Sequence, residues 1–175
     1  GPMFRKRLSV GVLSLTAAGL VAIASFEDYR GEAYMPLVGD VPTIGFGSTE
    51  GVQMGDKISV PQALERLMRD VGNAESAIAK CVTVPLTQSE YDAFVSFVFN
   101  LGERNFCSST LVKKLNAGDY EGACLELKRW TCGPDPTGRY SKQFPDHKCG
   151  KGKSPLPGLI SRREKEFQMC MEGKR

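Results

Sequence analysis

The chain has 175 residues, 41% of them hydrophobic and 25% charged, and a formal net charge of +3. Its basic residues are mixed with acidic ones and form no run interleaved with aromatics, which sets nucleic acid aside as a partner. A single histidine, His147, excludes zinc amidases and metallopeptidases, whose metal needs two or more histidine ligands, and leaves any Ser-His-Asp or Cys-His hydrolase resting on that residue alone.

Taken in chain order, Gly1-Pro2 ahead of Met3 reads as the scar of tag cleavage, so residues 1–2 are set apart and the native chain is expected to begin at Met3. Phe4-Arg5-Lys6-Arg7 is a basic flank, and Leu8 to Phe26 follows without one charge. As a helix at ~1.5 Å per residue the uncharged stretch would reach ~28 Å, just enough for a hydrocarbon core of ~30 Å. Ser9, Gly11, Ser14, Thr16, Gly19 and Ser25 make its hold on lipid weak. A cleaved signal peptide, with small residues around Ala22-Ile23-Ala24, would leave Glu27 near a mobile terminus. A permanent anchor conflicts with the low hydrophobicity, and a buried core helix of a cytosolic protein does not explain the basic cluster. We therefore read residues 3–26 as a signal-anchor segment that inserts with its basic end in the cytoplasm and can later leave the bilayer.

Residues 27–175 suit one compact domain. Gly31, Gly39-Asp40, Pro42, Gly45, Gly47 and Gly51 punctuate short pieces such as Thr43-Ile44-Gly45-Phe46, which predicts a small twisted hairpin sheet. Ser59 with Gln62 forms a capping box, and Pro61 sits in the first turn of a helix running to about Lys80, with Leu64, Leu67, Met68 and Val71 on one buried stripe. Thr87 and Glu90 repeat the box ahead of YDAFVSFVFNLG, where Tyr91, Phe94, Val95 and Val98 define a central core helix ended by Gly102. Further helices are expected from about Ser109 to Asn116, Asp119 to Trp130 and Leu159 to Met171. The fold class is α+β: a small β-hairpin lobe followed by a mainly helical lobe.

The six cysteines all lie beyond the apolar segment, and no pair has C-x-x-C spacing. They are either reduced and buried or, in an oxidising compartment, joined in up to three disulfides. Cys132 and Cys149 flank a Gly/Pro-rich stretch too long for an ordinary connection; a bridge between them would contribute ~3 kcal/mol by restricting the unfolded chain. The pairing of the other four cysteines stays open. His147, inside that stretch, reads as an exposed loop residue.

With metal and triad chemistry set aside, carboxyl chemistry remains. Glycoside hydrolysis needs an acid for the leaving oxygen and a partner that orients water or stabilises the cation. Glu27, at the end of the apolar segment, has a setting that favours a protonated general acid, and Asp40 and Thr43 lie across the predicted hairpin. Asp28, Glu32 and Glu50 suit a solvated surface equally well.

The run FEDYRGEAYMPLVGDVPTIGFGST resembles the catalytic segment of phage-type lysozymes, the endolysins, in which an acidic Glu, a short Arg and Ala-Tyr stretch, a Gly turn and a Thr-Ile-Gly-aromatic-Gly strand recur. LTQSEYDAFVSFVFNLG, STLVKKLNAGDY, the Trp130 region and PGLISRREKEF resemble that family's helical lobe, so the likeness covers most of residues 26 to 172. Together with the weak N-terminal anchor, the chain is similar to the signal-anchor-release endolysins of phages that attack Gram-negative hosts.

The resemblance implies a lysozyme-like fold with a cleft between the lobes, Glu27 as general acid and Thr43 as a holder of the attacking water. The family's aspartate commonly follows the Ala-Tyr by two residues, where this chain has Pro36, and the spacing from Glu27 to Thr43 is one residue longer than usual. Asp40, the only carboxylate between Glu32 and Thr43, is the expected replacement; the alternative is water held by Thr43 and backbone groups alone. Residues 131–157 look like an insertion.

The implied activity is hydrolysis of the β-1,4 bond between N-acetylmuramic acid and N-acetylglucosamine in peptidoglycan, by a monomer without metal or cofactor. The enzyme would first be tethered to the periplasmic face of the inner membrane, inactive, and then be released to the periplasm, where the segment folds back onto the domain. A lytic transglycosylase using Glu27 as acid and then base, and a non-catalytic membrane-tethered wall-binding protein, are the rival readings.

Overall fold

The computed structural model describes residues 6–36 and 40–174. The Gly1-Pro2 scar, the start at Met3, Arg5 of the basic flank and Gly39 of the predicted turn lie outside the described residues. Among the described residues the α-helices and strands run in the order α1 Ala17–Phe26, β1 Arg30–Tyr34, β2 Thr43–Gly45, α2 Val60–Cys81, α3 Gln88–Leu101, α4 Glu103–Cys107, α5 Thr110–Asn116, α6 Tyr120–Leu127, β3 Cys132–Pro134, β4 Lys153–Pro155 and α7 Pro157–Met171.

Helix α3 organises the larger lobe. Thr87 accepts from the Glu90 amide while the Glu90 carboxylate reaches back to the Thr87 amide, so two end donors are satisfied and the start is fixed. Gly102, at φ 91°, ends the helix by adopting a conformation that only glycine enters freely. Between these caps Tyr91, Phe94, Val95, Phe97 and Val98 are buried, with α1, α2, α4 and α7 packed around them.

Helix α2 starts at the predicted capping box, but its buried stripe differs from the expected one. Leu64 is 43% and Met68 53% exposed; the residues facing inward are Ala63, Leu67, Val71, Ala74, Ala77 and Ile78. A small side chain is needed at Ala63 because the chain approaches closely: a Cβ on Gly45 of β2 would lie 3.0 Å from that of Ala63. Strands β1 and β2 pair antiparallel, Arg30 opposite Gly45 and Tyr34 opposite Thr43, with an irregularity between. Residues 56–58 add hydrogen bonds on the other side of β1, and Ala33, Ile44 and Val52 form a separate small core.

The stretch from Leu8 to Phe26 is not one helix. Leu8 exchanges backbone hydrogen bonds with Leu86 at 2.8 and 2.9 Å, Val10–Val12 is a short 3-10 turn, and α1 begins only after Thr16, whose hydroxyl caps the Gly19 amide at 3.0 Å. The break has a physical cause. Amides that could have continued a helix are taken by carboxylates of the helical lobe: Leu15 N donates to Glu75 at 2.7 Å and Thr16 N to Asp92 at 3.2 Å, while the Thr16 hydroxyl also donates to Asp92. A Cβ on Gly19 would lie 3.0 Å from the Asp92 carboxyl, so glycine lets α1 sit this close to α3.

Upstream, Arg7 donates two hydrogen bonds to buried Glu90, at 3.1 and 3.0 Å, and stacks 3.5 Å over the Tyr120 ring. Ile23 is fully buried, whereas Val12 and Val21 face solvent. Among the described residues no helix is long and apolar enough to cross a membrane; the segment lies folded against the domain.

All six cysteines are paired: Cys81–Cys107, Cys124–Cys170 and, as expected, Cys132–Cys149. The first ties the end of α2 to α4 and the second joins α6 to α7. The third closes a loop whose base is the β3–β4 ladder, with Cys132 opposite Pro155 and Pro134 opposite Lys153.

Candidate active site

Glu27 is the residue immediately after α1, so the docked helix sets its position. Its side chain is 25% exposed and lines a cleft of about 440 Å³ between the hairpin lobe and α2–α3, together with Gly47, Glu50, Asp70, Asn73 and Asn100.

The apolar setting expected from the sequence is only partly present, because Arg162 Nη1 donates to Glu27 Oε1 at 3.0 Å. Arg162, 5% exposed, is itself held on every side. It donates to the Ser96 carbonyl at 3.2 Å and to Glu166 Oε2 at 3.4 Å, and it lies 4.6 Å over the Phe26 ring. One oxygen of Glu27 is thereby oriented by a fixed guanidinium. The other, Oε2, meets Gly47: a Cβ there would come within 2.9 Å of it. The second glycine of the TIGFG strand is thus required both by this approach and by its φ of 78°.

Behind Arg162 stands a buried network. Glu166 accepts from Ser96 Oγ at 2.6 Å and from Arg163 Nη1, and Arg163 also donates to the Trp130 carbonyl at 3.0 Å and to Asn100 Oδ1. Burial pushes the Arg163 guanidinium below its usual range, against the opposing pull of Glu166. The hairpin side of the cleft is tied to α2 by a 2.7 Å hydrogen bond from Ser48 to Asp70.

The other two predicted residues lie outside this cleft lining. Thr43, the first residue of β2, is buried and donates its hydroxyl to the Val41 carbonyl at 3.1 Å. Asp40 is exposed and its Oδ1 accepts from the adjacent Val41 amide at 2.9 Å. The expected convergence of all three residues on the cleft is therefore met by Glu27 alone.

Sequence reasoning gave no role to Arg162, Asn100, Asp70 or Asn73. For Arg162 a signal existed: in SRREKEF, Arg162, Arg163, Glu166 and Phe167 share the inward stripe of α7, where charged residues persist only when paired. Among the described residues no group of three or more His, Cys, Asp or Glu side chains could hold a metal ion.

A family model described as Phage lysozyme matches residues 24–166. The chain is 38% identical to an endolysin of Acyrthosiphon pisum secondary endosymbiont phage 1, over 88% of this chain and 95% of that protein. It is 30% identical to a protein named SAR-endolysin from Bacteriophage PS119, over 93% of each. Among solved structures, the muramidase domain of SpmX from Asticaccaulis excentricus superposes with a TM-score of 0.77 at 28% identity, over 91% of this chain and 98% of that one.

Proposed function

The chain belongs to the phage lysozyme family, and from that premise we propose that it is a phage endolysin hydrolysing the β-1,4 bond between N-acetylmuramic acid and N-acetylglucosamine of peptidoglycan. The observation that carries this reading is the Glu27 carboxyl at the cleft, one oxygen oriented by Arg162 and the other against Gly47. A proton on Oε2 leaves Oε1 free to accept from Arg162, so the contact is compatible with an acid.

Glu27 passes its proton to the glycosidic oxygen as the bond to C1 breaks, and the resulting cation-like centre is captured by water. In this reading the Thr43 hydroxyl leaves the Val41 carbonyl on substrate binding to help hold that water, and Asp40 takes its proton. Binding of a sugar chain would have to draw the Asp40 carboxyl away from the Val41 amide. Support for the Asp40 role is its place in the approach to β2, shortly before Thr43; if Thr43 and backbone groups suffice, Asp40→Asn will leave turnover intact.

Glu27→Gln should abolish clearing of murein suspensions, and mass spectrometry of wild-type digests should find plain reducing ends. Retained clearing by the variant would sink the assignment of the acid, and 1,6-anhydro ends would sink hydrolysis.

The similarity to SAR-endolysins supports a second part of the reading: with residues 8–26 in a bilayer, the enzyme is tethered at the periplasmic face of the inner membrane and inactive. In that state Thr16, Leu15 and Arg7 cannot reach Asp92, Glu75 and Glu90, so nothing seats the helix that Glu27 follows. Protein reconstituted into vesicles should digest externally added soluble glycan at least tenfold more slowly than released protein, and equal rates would refute the tethered block.

A further inference from the structure

The cleft continues past Glu27. On the Arg162 side lies a second hollow, lined among others by Phe26, Asn100, Tyr140, Leu156 and Leu159, which shares Glu27 and Asn100 with the first. Glu27 therefore stands at a junction between two hollows, the place an acid must occupy if a polymer runs on both sides of the bond being cut.

One wall of the second hollow comes from the disulfide-closed insertion. Tyr140 is half-buried and its position is built in. Its backbone amide donates to Asp135 Oδ2 at 3.0 Å, and the Thr137 hydroxyl donates to Oδ1 at 3.3 Å. Asp135 is held in turn by a 2.9 Å bond from its own amide to the Gly152 carbonyl. The next residue, Ser141, is hydrogen-bonded through its hydroxyl to that of fully buried Ser154. Below these contacts stand the β3–β4 ladder and the Cys132–Cys149 bridge.

A loop serving only as a connection would not need a buried carboxylate to fix one aromatic residue at the mouth of a cleft. The loop is also basic: between residues 131 and 157 stand Arg139, Lys142, Lys148, Lys151 and Lys153 against Asp135 and Asp146, and Asp135 is already engaged.

We propose that this insertion is an added substrate-binding wall: Tyr140 carries a sugar ring of the glycan strand on the Arg162 side of the scissile bond, and the basic loop meets the carboxylates of the stem peptides attached to that strand. A tyrosine offers an apolar face to the C–H groups of a pyranose and a hydroxyl at its edge, while like-signed charge around a cleft concentrates an oppositely charged polymer there. The proposal rests on the assignment of Glu27 as the acid of a muramidase.

The test uses the full chain and soluble murein glycan strands of at least six sugars, either with their stem peptides or enzymatically stripped of them. Tyr140→Ala should raise KM about tenfold on both substrates with the effect falling on KM rather than kcat, and Tyr140→Trp should restore most of the loss. For the wild type, stripping the peptides should raise KM severalfold, and added salt should narrow that difference.

An unchanged KM for Tyr140→Ala overturns the sugar platform; a wild-type KM indifferent to the peptides overturns the charge reading. If Tyr140→Ala melts early, the same question is put to Glu27→Gln by NMR with peptide-free strands, where shifts confined away from residues 137–144 overturn the proposal. Failure of the underlying reading shows separately, as turnover by Glu27→Gln.

Discussion

Replacing Thr16 by valine tests how strongly the N-terminal segment is seated. The change keeps the shape of the side chain and removes one hydroxyl with two roles, accepting from the Gly19 amide as helix cap and donating to the Asp92 carboxylate. A lost cap costs ~1 kcal/mol, and a hydrogen bond to a charged group is worth ~1.5–3 kcal/mol. Asp92 keeps its bonds from the Thr16 amide and Gln88, so the lower half of that range applies and the total is about 3 kcal/mol. At 1.4 kcal/mol per tenfold this is roughly a hundredfold rise in the undocked population. Hydrogen exchange of the purified, detergent-free protein reads it directly. Amides of Leu20 to Glu27 should exchange about a hundredfold faster, while those of α3 stay unchanged because the opening is local. Protection of α1 within twofold of the wild type would refute the reasoning.

Acid should undock the same segment by another route. Burial pushes the Glu90 carboxyl up, but hydrogen bonds from Arg7, Lys174 and the Thr87 amide outweigh it and hold the group below its ordinary value. The released or unfolded chain then binds the proton more readily, so the stabilisation is complete above about pH 4.5 and is lost as pH falls through the lower folded value. Thermal melts between pH 6 and pH 3 should show a loss that is smaller in Arg7→Ala, and parallel curves would contradict this. Gly47→Ala should lower kcat at least tenfold, since its Cβ would press on Glu27 Oε2 at 2.9 Å; normal turnover would show that Glu27 has room to move. Replacing Cys132 and Cys149 by serine removes a loop constraint worth ~3 kcal/mol in the chain-entropy model, and limited proteolysis should then cut between residues 135 and 150 before any other site. Resistance equal to the wild type would show that the ladder and Asp135 suffice.

What could be read from sequence was mostly local. Ser59–Gln62 and Thr87–Glu90 announce their helices because a capping box satisfies its own donors, and Gly102 ends α3 for reasons contained in its backbone. The error at Leu64 and Met68 has the opposite origin. Three alanines stand in the inward stripe of α2 with a weak apolar signal, and nothing local to Ala63 announces the close approach of β2 that requires a small residue there. Nor could the break before Thr16 be seen, since the groups that cause it, Glu75 and Asp92, lie far along the chain. Glu27 was legible through a resemblance, while the guanidinium that orients it came from the last helix and was read only as part of a family-like stretch.

The polar residues of the N-terminal segment have a double consequence. Thr16 and Gly19 lower the hydrophobicity of residues 8–26, and the same residues supply the Asp92 contact and the close helix approach that seat the segment on the protein. Solubility in one medium and affinity for the other are thus written in the same few atoms. On the proposed tether-and-release reading, a substitution that makes the segment greasier would act on both ends of the partition at once, favouring the membrane and weakening the docked state, and so would alter the timing of departure together with the geometry at Glu27.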